Sequence, residues 1–181
     1  EEGFRTTMII DDIRLTDPAG PQLGTQVEQL LSAGVARVEI LRGPQGLAYG
    51  ADGGGIVNIS SKHLTKGLAA DLSLQGGDFA TRQYSADLEG GFERADFFVA
   101  AADLRSAGFN ALVDDAVLRD KDGYHNTTLH ARGSLALAPG LVLNLVHRNV
   151  DSNSGYDACY TATDFMLVHD CSATYQLQAS R

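Results

Sequence analysis

Val35-Ala-Arg-Val-Glu-Ile-Leu-Arg-Gly-Pro-Gln-Gly-Leu-Ala-Tyr-Gly-Ala-Asp-Gly-Gly-Gly-Ile-Val-Asn-Ile-Ser60 is the stretch on which the fold turns. Its first seven residues alternate as a β-strand, with Val38 and Ile40 on one face and Arg37 and Glu39 on the other. Gly43-Pro44 breaks that strand, and Ile56 to Ser60 reads as another. The glycines between them, Gly43, Gly46, Gly50 and Gly53 to Gly55, permit positive φ and close backbone approach. A phosphate-cradling loop also uses glycines, but it needs a Lys-Ser/Thr pair and a helix after them, and neither follows. The segment reads as a glycine-rich wedge between two strands.

Upstream, Thr7 to Leu15 has the β-branched content of a strand with a turn at Asp11-Asp12, and Asp17-Pro-Ala-Gly-Pro21 is turn chemistry. Thr25 stands three residues before Glu28, the spacing of a capping box. Val27, Leu30 and Leu31 then give one apolar stripe, which Gly34 stops. A short helix is predicted there, making residues 1–62 a small mixed α/β unit.

From Gly67 onward the period changes to 2. Leu72 and Leu74 alternate with Asp71, Ser73 and Gln75; Tyr84, Ala86 and Leu88 with Gln83, Ser85, Asp87 and Glu89. Phe97, Val99 and Ala101 line a third segment, where Phe98 breaks strict alternation. Leu129 to Leu137, Leu141 to Leu145 and Tyr175 to Leu177 begin or fill three more. The connections alternate in length: Gly90 to Arg94 and Ala138 to Gly140 are tight, whereas Ser106 to Lys121 and Asp151 to Asp170 are long and polar. Short turns on one side and long loops on the other describe a transmembrane β-barrel, and an antiparallel sandwich alternates in the same way. Asp87, Glu89, Arg132 and Arg148, set mid-strand on one face, favour the barrel with its wet lumen.

Composition narrows the partners. The 181 residues carry 14 Lys+Arg against 23 Asp+Glu, and a net charge of −9 argues against nucleic acid and against a polybasic lipid anchor. The longest apolar run, Phe97 to Ala102, is six residues, far from the ~20 of a membrane helix. No basic n-region followed by an apolar h-region is present, so no signal peptide is expected. Mean hydropathy of −0.10 alone describes a soluble acidic domain, but alternating strands hide their lipid-facing residues from such an average. Cys159 and Cys171 fit no CxxC motif; they read as one disulfide in an oxidising compartment, with two unpaired thiols as the other reading.

The Val35–Ser60 stretch resembles the end of the plug domain of TonB-dependent outer-membrane receptors: a strand, Arg-Gly-Pro, an aromatic-containing turn ending in Tyr-Gly, a glycine cluster and a strand with Asn-Ile. Arg37, Glu39, Arg42, Gly43, Pro44, Tyr49 and Gly50 carry the motif. The resemblance implies a transmembrane antiparallel β-barrel, 22-stranded in the family, with an N-terminal mixed α/β plug domain. Residues 1–62 correspond to the C-terminal part of the plug and residues 67–181 to the first six barrel strands, so the chain is expected to be a fragment. It places Arg37, Glu39 and Arg42 against lumen-lining carboxylates. It further implies the bacterial outer membrane, with its lipid and lipopolysaccharide, and partnership with TonB and the inner-membrane energy complex.

The long loops are similar to those that bind calcium in the cobalamin receptors of that family. Asn110 stands in for a first Asp; Asp120 and Asp122 in Asp120-Lys-Asp-Gly-Tyr124, Asp157 in Tyr156-Asp-Ala-Cys-Tyr160, and Asp170 match the rest. Calcium suits such a set, being a hard cation that takes several oxygen ligands. The other reading is of acidic loops that are simply solvated or meet divalent ions at the lipopolysaccharide surface. His125 and His130, five apart, face opposite sides of one strand; with His63, His147 and His169 they read as interfacial residues and not ligands. No nucleophile or metalloprotease motif is present, so no enzyme is expected. The implied function is cobalamin uptake with calcium-ordered loops. The alternatives are a ferric siderophore receptor and, in a different class, a calcium-binding extracellular β-sandwich or adhesin, which has no use for a glycine-rich wedge.

Overall fold

The computed structural model describes residues 6–15, 25–42, 55–110, 121–157, 159–168 and 170–181, which form a small sheet lying against one face of a large one. In the small sheet, β1 (Thr6–Ile10) and β2 (Ile13–Leu15) make an antiparallel hairpin. Its two-residue turn is Asp11-Asp12, at φ 42° and 66°. Such left-handed pairs match the twist of the flanking strands, and Asp tolerates them. Next come β3 (Val35–Leu41) and β4 (Gly55–Ser61). The spatial order is β2-β1-β4-β3, with β1 parallel to β4 and β3 antiparallel to it.

The expected mixed α/β plug is not what folds. Among the described residues there is no α-helix, only a single 3₁₀ turn at Val27–Gln29. The capping box fails because the Thr25 hydroxyl donates to the Leu15 carbonyl, and Gln26 occupies the cap with no side-chain hydrogen bond. Leu30 is already extended at φ −91°, and Gln29, which the apolar stripe had left out, is the buried residue. Tertiary hydrogen bonding outcompetes a helix too short to hold itself.

The large sheet is an antiparallel meander of six strands: β5 (Gly67–Gly77), β6 (Thr81–Gly91), β7 (Ala95–Ser106), β8 (Tyr124–Ala138), β9 (Leu141–Tyr156) and, after the two-residue strands β10 (Cys159–Tyr160) and β11 (Leu167–Val168), β12 (Cys171–Ser180). β8 and β9 run on into stretches whose polarity suggested loop, so Asp151 lies within β9. Leu72, Leu74, Leu88, Val99, Leu129, Leu135, Leu143 and Leu145 are exposed on the outward face, while Phe98, Ala100, Asn126, His130, Val146 and Arg148 are buried beneath the small sheet. Phe98, the exception to the alternation, points inward and is fully buried.

The outward apolar band runs obliquely to the strands. Tyr84 aligns through Asp103 and Thr127 with Asp151, and the band on β9 tops out at Leu145, six positions lower (151 − 145). Six residues are about 20 Å along a strand and three strand spacings about 14 Å across, a slope of about 55°. A barrel whose strands tilt by roughly 35–45° from its axis needs an apolar band that slopes across the strands in this sense, though less steeply, to stay level with a membrane. Asn149, Asp151, Gln176 and Gln178 then lie above the band, beside the long loops.

Candidate functional site

The inward face of β5–β9 and β12 and the small sheet meet in a two-part interface. Towards β9 and β12 it is apolar: Met8, Ile10, Ile13, Leu15 and Ile59 pack with Val146, and Leu177 and Ala179 close the edge. Gly34, at φ 71°, sits so close to Phe98 that a Cβ there would lie 2.3 Å from the ring.

Towards β5–β8 the interface is polar. Asp71 and Asp87 are directly opposed in the β5–β6 register, an arrangement that is unfavourable without a cation. Lys62, in the link between the sheets, supplies it, with Nζ 2.5 Å from Asp71 and 2.9 Å from Asp87. The Asp71 hydrogen bond, supported by Asp87 and opposed by burial, holds the Lys62 ammonium above the usual lysine range. His63 and Arg132 both approach Asp96, at 3.3 and 3.4 Å, and Arg132 also donates to the Lys62 carbonyl. Gln29 is gripped by two β8 side chains: the Tyr124 hydroxyl donates to its Oε1 at 2.9 Å, and Asn126 Nδ2 to its carbonyl at 3.2 Å.

The deepest polar contact is His130 Nε2 to Asp11 Oδ2 at 2.6 Å, with the side chains 4% and 7% exposed. The Ser61 backbone N–H donates to the other Asp11 oxygen at 3.0 Å. Burial works against ionisation of Asp11, but hydrogen bonds from His130 and Ser61 prevail and hold its carboxyl below the usual carboxylate range.

The residues singled out from sequence fall in several places. Arg37 and Glu39 pair with each other, and Asn58 donates to Glu39; the carboxylates of the large sheet are met by Lys62, His63 and Arg132 instead. Arg42 is exposed at the end of β3, and Gly43, Pro44, Tyr49, Gly50, Asp120 and His169 lie outside the described residues. His125 faces outward onto Asp103 at 2.8 Å, opposite in direction to His130. Cys159 and Cys171 form a disulfide, Cα atoms 6.3 Å apart, that ties the β10–β11 hairpin to the top of β12. Asn110, Asp122, Asp157 and Asp170 all lie at the loop end of the large sheet, but among the described residues no three His, Cys, Asp or Glu come together to hold a metal. Lys62 and Gln29 escaped the sequence reading, which took Asp11 only as a turn residue and His130 only as an interfacial one. The one available signal was the pair of inward carboxylates, Asp71 and Asp87, which calls for a cation nearby.

No protein-family model matches the chain. In structure it is similar to the ferripyoverdine receptor FpvA of Pseudomonas aeruginosa, with a TM-score of 0.62 and 17% identity over 96% of this chain and 24% of that one. It is also similar to the ferric enterobactin receptor PfeA of the same organism, in a mutant form, with a TM-score of 0.60 and 18% identity over 99% of this chain and 31% of that one. This is the fold of the TonB-dependent outer-membrane receptors. In sequence, the chain is 27% identical over 136 residues to the vitamin B12 transporter BtuB of Photobacterium profundum, covering 74% of this chain and 22% of that protein. The chain thus spans less than a third of the length of the relatives it matches. The proteins it is similar to are receptors and a transporter, and the ferripyoverdine receptor is one of the outer membrane.

Proposed function

We propose that the chain is the part of a TonB-dependent transporter in which a small mobile sheet blocks the inner face of the barrel wall, and that the transporter imports ferric siderophores. The observation that carries the cargo is the fold similarity, over 96–99% of the chain, to receptors for ferripyoverdine and ferric enterobactin. The polar half of the interface supports the movement: Lys62, Asp11 and Gln29 are held by contacts that water can replace. TonB and the inner-membrane energy complex would supply the work, and lipopolysaccharide would surround the outward face above the apolar band. Residues 1–62 serve in this reading as part of the lumen-filling unit.

Cobalamin is the second reading, favoured by the sequence similarity to a vitamin B12 transporter. Calcium ordering of the loops through Asn110, Asp120, Asp122, Asp157 and Asp170 is proposed on the sequence pattern alone. One experiment addresses all three. The purified receptor is titrated with ferric enterobactin, ferripyoverdine and cyanocobalamin, each with calcium and with chelator. The proposal expects saturable binding of a ferric siderophore and none of cyanocobalamin; the reverse result would replace it with the second reading.

A further inference from the structure

Arg148 is the one strongly basic group in the luminal interface that the contacts above leave unused. It lies on β9, 2% exposed, and its Nε and Nη2 are buried with no hydrogen-bond partner. Burying these two N–H groups without an acceptor is expensive, although Tyr175 and Asp11 are near enough to interact with the guanidinium charge. Its surroundings are specific. In the β8–β9 register Arg148 is the direct partner of His130, the residue that holds Asp11. On its other side it pairs with Ala179 of β12. Just past the end of β12, Arg181 donates from Nη1 to the Asp12 carbonyl at 2.8 Å. The Asp11-Asp12 turn is therefore fastened on both sides of β9 and spans Arg148.

We infer that Arg148 is a second seat for the Asp11 carboxylate, taken when the small sheet shifts along the wall. Of the two Asp11 contacts only His130 belongs to the large sheet; Ser61 is on β4 and travels with Asp11. One hydrogen bond must break, Asp11 Oδ2 to His130 Nε2, and the vacant Arg148 N–H groups stand ready one strand away, about 5 Å across the sheet. Such a device lets a buried carboxylate move without ever being left uncompensated, and it explains why two unsatisfied arginine N–H groups are kept beside a satisfied pair. The groups facing Asp11 are then His130 from β8, Arg148 from β9 and the Ser61 N–H from β4.

This inference rests on the transport reading, and the test separates the two. The receptor is expressed in cells lacking other iron-uptake receptors, as wild type, Arg148→Met and Arg148→Lys. Radiolabelled ferric enterobactin and ferripyoverdine uptake, ligand binding and the melting temperature of the purified protein are measured for each. The second seat predicts that Arg148→Met binds ligand and melts as wild type does or higher, imports about tenfold more slowly, and is largely rescued by Arg148→Lys. Unchanged import by Arg148→Met overturns the inference, and so does a lowered melting temperature with lost binding, which marks Arg148 as a structural residue. A wild type that imports neither compound contradicts the transport reading itself.

Discussion

His130 Nε2 and Asp11 Oδ2, 119 residues apart in sequence, meet at 2.6 Å in the buried interface between the two sheets. Removing the charge while keeping the shape, as in Asp11→Asn, weakens the hydrogen bonds that His130 and the Ser61 N–H make to a carboxylate. A hydrogen bond to a charged group contributes about 1.5–3 kcal/mol. Hydrogen exchange of residues 6–15 is expected to speed up strongly in this variant, while exchange in β5–β8 stays as it was.

The same pair makes docking acid-sensitive. The folded-state pKa of Asp11 lies below its ordinary value near 3.9, so the ionised carboxylate stabilises docking at any pH above that value. As pH falls through the lower, folded value, the carboxylate takes up a proton and the contribution disappears. Exchange protection of the Ser61 amide, which donates to Asp11, is expected to hold at pH 5–7 and to fall below about pH 4. Asp11→Asn should remove that pH step.

Gly34 tests the apolar half. With φ at 71° and a Cβ position 2.3 Å from the Phe98 ring, Gly34→Ala meets both backbone strain and a clash. A loss of about 1–3 kcal/mol is expected, read as a lowered melting temperature. Phe98→Leu in the same chain should recover part of it by giving way to the new methyl group.

The Cys159–Cys171 bond closes a loop of about 13 residues, for which chain entropy predicts about 3 kcal/mol. Its replacement by serines should open the β10–β11 hairpin to proteolysis while the β9–β12 pairing persists below it, because the two strands stay in register from Tyr156 and Cys171 down to His147 and Ser180.

Position along the oblique band sets the cost of a charge on the outward face. Leu143→Arg, within the band on β9, should cost about 2–4 kcal/mol in denaturant titrations of the lipid-embedded receptor, whereas a basic residue at the interface costs roughly 0–1. Asn149→Arg, above the band, serves as the control. Equal costs at the two positions would mean that β9 does not face lipid where the band says it does.

Much of the large sheet was legible because period-2 alternation is a local property: Leu72, Leu88, Val99, Leu129 and Leu143 all lie outward as their polar neighbours imply. Phe98 was legible only as an irregularity, since its reason, Gly34, is 64 positions away (98 − 34). The Val27–Leu31 helix misled because the capping-box spacing says nothing of whether Thr25 has a better acceptor, and the Leu15 carbonyl is that acceptor. The pairs between the two sheets were hidden for the same reason. Lys62 and Asp71 are close in sequence, but the need for a cation arises from Asp87, which joins Asp71 only through the register. Strand lengths in β8 and β9 were underestimated because polar residues above a tilted apolar band look like loop.

Energy-dependent import tests the central claim most directly. Cells expressing the receptor as their one iron-uptake route, with and without TonB, are given radiolabelled ferric enterobactin or ferripyoverdine, and labelled cyanocobalamin in parallel. The account predicts accumulation of iron from a ferric siderophore only when TonB is present, and no accumulation of cyanocobalamin. Accumulation of cyanocobalamin in place of iron, or iron import that is indifferent to TonB, would contradict it.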